Sequence, residues 1–236
     1  MNREANRTSQ GFTLIELLLA MTFISILLIV IAVTVIQISN IYNKGLTMKA
    51  VDQAGRSIST DMRQVMSNSQ PFSIDTAYHL QRNPGSPMDS PDGGRLCLGT
   101  YSYVWNFGKS LINPANRYAT GDTEIRFARV RDNGGQYCAN PGSQIQQADA
   151  TELLSAGDRD LAIQNFAITR LAEDAAVGQS LYKITLVIGT NNRDAIEPLS
   201  TIDTRCKPPN QELSQEEFCA VNRFDFTAQA GNRGGQ

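Results

Sequence analysis

The sequence predicts an α+β protein: a long N-terminal helix whose first half spans a membrane and whose second half packs on an antiparallel β-sheet head. Three observations predict it. From Leu14 to Ile38, 25 residues contain a single ionisable side chain, Glu16. Apolar residues then recur at helical spacing as far as Val65. Beyond Pro71 they alternate in short runs between segments rich in Pro and Gly, the pattern of strands rather than helices.

Composition sets the bounds. The 236 residues are 41% hydrophobic and 19% charged, with 9 Pro and 18 Gly, which excludes a collagenous or wholly disordered chain. The net charge of −2 argues against a nucleic-acid partner held by bulk positive charge. The first 70 residues carry a net charge of +2, so the remainder carries −4, and the two parts differ in kind.

The apolar run comes first. At about 1.5 Å per residue, 25 helical residues extend roughly 37 Å, more than the hydrocarbon core of about 30 Å. A cleaved secretory signal has an apolar stretch of about 7 to 15 residues and a small-x-small cleavage site. Here Leu17 to Ile36 leads instead into Gln37, Ser39 and Asn40. Arg3 and Arg7 against Glu4 on one flank, and Lys44 and Lys49 against Asp52 on the other, leave orientation by charge nearly tied. Cysteine usage breaks the tie. Cys97, Cys138, Cys206 and Cys219 all follow the helix, and an even count in an exported domain reads as two disulfides, so the large domain is placed outside the cytoplasm.

The helix is expected to continue past the membrane. Ile41, Met48, Val51, Ile58, Met62 and Val65 form one stripe, with Ala54 and Gly55 filling its gap, and the natural cover for that stripe is the head. One helix over about 12–67 follows, ended by Pro71. Gly45 and Gly55 each cost about 1 kcal/mol in a helix interior relative to Ala. Close approach to a sheet explains them better than hinges do.

The head is expected over 71–230. Residues 72–92 read as a loop. Strand patterns follow at 95–107, where Tyr101, Tyr103, Trp105 and Phe107 alternate with Thr100, Ser102 and Val104 and imply one buried face, and at 124–131, 161–171 and 181–190. With no helical period between most of them, hairpin connections and an antiparallel sheet are implied. Four cysteines permit three pairings. Nearest-neighbour closure favours Cys97 with Cys138 and Cys206 with Cys219, the second stapling a loop too polar to bury much surface. Residues 231–236 read as a disordered tail.

Catalytic and metal chemistry finds little to draw on. The one histidine, His79, has no nearby cysteine, and no Cys spacing suggests zinc. Asp89-Ser90-Pro91-Asp92-Gly93 lacks the EF-hand pattern and reads as an ordinary turn, and Asp132-Asn133-Gly134-Gly135 as a hairpin or loop. No Gly-x-Ser-x-Gly, P-loop or His-Glu-x-x-His occurs. The expectation is a non-enzymatic protein without metal or cofactor.

The chain's start is its most specific feature. Ser9-Gln10-Gly11-Phe12-Thr13-Leu14-Ile15-Glu16 sets a polar leader and a glycine directly against the apolar helix, with a carboxylate five residues after the glycine. Thr13-Leu14-Ile15-Glu16 also fits a capping box, in which the glutamate serves only its own helix end. The Gly11-to-Glu16 segment resembles the class III leader of type IV pilins and type II secretion pseudopilins. That resemblance implies a pilin-like ladle fold, cleavage by a prepilin peptidase between Gly11 (leader 1–11) and Phe12, and N-methylation of Phe12. It implies as partners other pilins or pseudopilins, met through the helix (12–38 in the membrane, 39–70 beyond it), and an assembly platform in the inner membrane. It also implies a role in assembly for Glu16, paired with a neighbouring subunit's terminal amine. Major pilins commonly carry proline at the twenty-second mature position, which here is Val33, so the resemblance is to minor members. Ser57 to Gln64, with Asp61-Met62-Arg63, is similar to the helix end of the W/J type, and Cys206 to Cys219 resembles the disulfide-bounded C-terminal loop of type IV pilins. Three functions follow as expectations: a minor pilin that primes or caps a filament, a J-like pseudopilin in protein export, or a signal-anchored exported receptor or enzyme.

Overall fold

A computed structural model describes residues 13–81, 91–111, 118–120, 123–132, 134–139, 145–154, 157, 159–211 and 217–231. In chain order the elements are α1 (Leu14–Ser67), α2 (Ile74–Ala77), β1 (Tyr78–Gln81), β2 (Gly93–Cys97), β3 (Tyr101–Asn106), β4 (Ala119–Thr120), β5 (Thr123–Glu124) and β6 (Phe127–Arg131). There follow α3 (Gln136–Ala139), β7 (Ala150–Glu152), β8 (Leu161–Asp174), β9 (Gln179–Thr190), β10 (Ile196–Glu197), β11 (Arg205–Cys206) and β12 (Val221–Ala230). The chain divides into two units, Met1–Tyr42 and Asn43–Gln236. The protein is thus α+β, with a long apolar N-terminal helix and antiparallel sheets.

In the first unit, every described residue is exposed, including Leu14, Leu17, Phe23, Ile29 and Ile36. Three of its hydroxyl side chains are turned back on their own helix. Thr22 donates to the Leu19 carbonyl, Ser25 to Met21 and Thr34 to Val30, at 2.8–2.9 Å. Such bonding lets a hydroxyl sit in hydrocarbon without an orphaned donor. By length and composition this helix is able to cross a membrane.

In the second unit, α1 buries Thr47, Val51, Gly55, Ile58, Ser59, Met62 and Met66, each three or four residues from the next or adjoining it. The expected stripe is therefore shifted at its start: Ile41 and Met48 are 73% and 54% exposed, and Thr47 holds the buried place. Thr47 qualifies because its hydroxyl is satisfied locally, by the Asn43 carbonyl at 3.0 Å. The two helical glycines part company. A Cβ on Gly55 would lie 2.2 Å from the Phe224 ring of β12, so this glycine permits close packing, whereas Gly45 has nothing within 4 Å.

Two sheets complete the core. One has the order β1-β2-β3-β6-β7, the other β12-β9-β8, and all their neighbours are antiparallel. A parallel bridge, Phe107 to Ile163, joins them, with Gly108 N–H donating to the Ile163 carbonyl at 2.9 Å. Trp105, Tyr103, Phe127, Phe166, Tyr182 and Leu186 meet Ile58, Met62 and Met66 in the main core.

Several sequence expectations are corrected here. The strand expected over 95–107 is a hairpin, β2 and β3, because Gly99 turns the chain at φ +92°. Its face is not singly buried: Val104 on the reverse of β3 packs with Ile125, Ala128, Val130, Tyr137 and Ile145 in a second cluster. The loop expected over 72–92 contains α2 and β1 before residue 82, since β1 finds the edge of β2 free. Residues 82–90 lie outside the described residues. In β8, Ile163, Phe166 and Ile168 share the core although the first gap is three, because a bulge between Ile163 and Asn165 takes up the extra residue.

The cysteines pair as Cys97 with Cys138 and Cys206 with Cys219, with Cα separations of 6.2 and 5.8 Å. The first bridge fastens α3, which carries Tyr137 into the second cluster, to β2. The second joins β11 to the residue two before β12, beside the small cluster of Ala195 and Ile196. The tail expectation falls on 232–236, outside the described residues, apart from Gly231, whose N–H donates to the Ser69 carbonyl at 2.9 Å.

Candidate functional site

Of the leader residues singled out by sequence, Gly11 and Phe12 lie outside the described residues, while Thr13 and Glu16 can be placed. Thr13 precedes the first helical residue and Glu16 occupies the third position of the helix. The Thr13 backbone N–H donates to Glu16 Oε2 at 2.9 Å, and the Thr13 hydroxyl donates to the same oxygen at 2.8 Å. In return Glu16 N–H donates to Thr13 Oγ1 at 3.4 Å. This is the reciprocal capping box that the Thr-x-x-Glu spacing allows, and it satisfies two donors that a helix N-terminus otherwise leaves open.

The cap engages one carboxylate oxygen only. Among the described residues no hydrogen bond reaches Glu16 Oε1, and the side chain borders a shallow groove of about 400 Å³ formed with Ile15, Leu19, Ala20 and Phe23. The groove is apolar except for that carboxylate. A carboxylate in such surroundings costs on the order of 3 kcal/mol at a bilayer centre and less near an edge, which favours a partner of opposite charge.

Other sequence candidates resolve into architecture. Asp61, in the segment singled out near the end of α1, accepts the Tyr103 hydroxyl at 2.7 Å and pairs with the Arg129 guanidinium, which lies over the Tyr101 ring. Burial, then the bond to Asp61, pushes the Tyr103 hydroxyl's pKa far up, so it stays a donor. Arg63 donates to the Thr227 carbonyl at 3.2 Å and covers the Phe226 ring. Together they strap α1 to both sheets. His79 Nε2 bonds the Thr76 carbonyl at 2.9 Å. Asp92 is buried and accepts from Ser110, with Lys109 3.6 Å away, while Asp89 and Ser90 of the same turn lie outside the described residues. Asp132 accepts from Ser102 Oγ and from Gln136 N–H, binding the Gly134-Gly135 loop to β3 and α3. Among the described residues no group of three or more His, Cys, Asp or Glu is placed to hold a metal ion.

Two ionic features, a buried arginine and a half-buried glutamate, lay beyond the reach of sequence reasoning. Arg126 donates to Glu124 at 2.7 Å, to Asp160 and to the Leu161 carbonyl. Glu152 accepts the backbone N–H groups of Arg126, Phe127 and Leu154 at 2.8–3.0 Å. Neither has a sequence signature, because Arg126 and Asp160, like Glu152 and Phe127, lie far apart in the chain. Both serve the junction of β6, β7 and β8. No protein-family model, curated protein or solved structure matches the chain.

Proposed function

We propose that the chain is a minor pilin or minor pseudopilin with a pilin-like ladle fold: a non-catalytic structural subunit, processed by a prepilin peptidase, that initiates, primes or caps a type IV pilus-like filament. The observation that carries this reading is the Gly11-Phe12-Thr13-Leu14-Ile15-Glu16 sequence at the head of a helix whose apolar side chains are exposed from Leu14 onward. Cleavage after Gly11 would place a cationic amine on Phe12, four residues from Glu16. A helix with exposed apolar sides leaves the bilayer without an unfavourable encounter with water only if other helices cover it. A neighbour's amine reaching Glu16 would then set the axial register. The location that follows is the cytoplasmic membrane, single pass, head outside the cytoplasm, with passage into a filament or pseudopilus.

The test is direct. Mass spectrometry of the native protein is expected to show a mature chain beginning at methylated Phe12, and Gly11→Ala is expected to leave the precursor uncut. An intact Met1, or a cut beyond Ile38, overturns the reading. Glu16→Ala is expected to be cleaved yet absent from sheared filaments. Glu16→Gln separates the two roles of that side chain, since an amide oxygen still accepts from Thr13 but carries no charge. Normal incorporation of the Gln variant would leave only the capping role.

A further inference from the structure

We draw no further inference here: the strongest candidate, the cavity of about 680 Å³ beyond the end of β9 that Arg159, Asp160, Asn191, Arg193, Asp194 and Phe218 help to line, carries nothing, because its two guanidinium groups and two carboxylates favour neither an anion nor a cation and nothing in the structure shows what would occupy it.

Discussion

At the scale of single residues, the informative groups are those whose charge is held away from water. Burial pushes the Glu152 carboxyl's pKa above the usual range, against the three amide donations and the nearby Arg126 that pull it down. A carboxyl whose folded value is raised contributes its full stability below its unfolded value, about 4.3, and loses it as pH rises through the folded value. Glu152→Gln removes that titration. The expected outcome is that the variant's stability relative to wild type, from denaturant midpoints, improves as pH is raised from about 4. An unchanged difference across that range would mean that Glu152 is not raised. None of this was legible in the sequence, where Glu152 is one acid in a polar stretch. The Thr13 and Glu16 pair was legible because a capping box lies within four residues, and local hydrogen bonding needs no knowledge of the fold.

At the scale of elements, periodicity revealed those whose partners share one face and failed where a residue's surroundings come from two sides. The strand β9 was readable from the alternation of Tyr182, Ile184, Leu186 and Ile188, and β8 only in outline, since its bulge interrupts the period. The division of 95–107 into two strands was not, since the turn at Gly99 lies within a run of otherwise acceptable strand residues. The strand β12 gives a weak signal although Phe224, Phe226, Ala228 and Ala230 alternate, because Asn222, Arg223 and Asp225 lower the local hydropathy. The glycines of α1 supply a paired prediction. Gly45→Ala, with open space around it, is expected to stabilise the helix by about 0.5–1 kcal/mol. Gly55→Leu, driven into the Phe224 ring, is expected to destabilise by about 1–3 kcal/mol. Thermal melts of the full chain in detergent distinguish them, and a stabilising Gly55→Leu would contradict the packing described.

At the scale of the whole molecule, the two bridges close loops of different reach, with sequence separations of 41 and 13 residues. By chain entropy, replacing both cysteines of a pair with alanine is expected to cost about 4 kcal/mol for Cys97 with Cys138 and about 3 kcal/mol for Cys206 with Cys219. Chemical denaturation of each double variant checks the order. The division into an apolar rod and a polar head was plain from composition alone, whereas the joining of two sheets through Phe107 and Ile163 depends on contacts far apart in sequence. One detail at the rod's tip bears on how such a molecule meets another. Because Thr13 draws on a single oxygen of Glu16, the side chain is tethered while its second oxygen carries no hydrogen bond among the described residues. An arriving ammonium group would dock without first unfastening the start of the helix, so docking need not fray the rod.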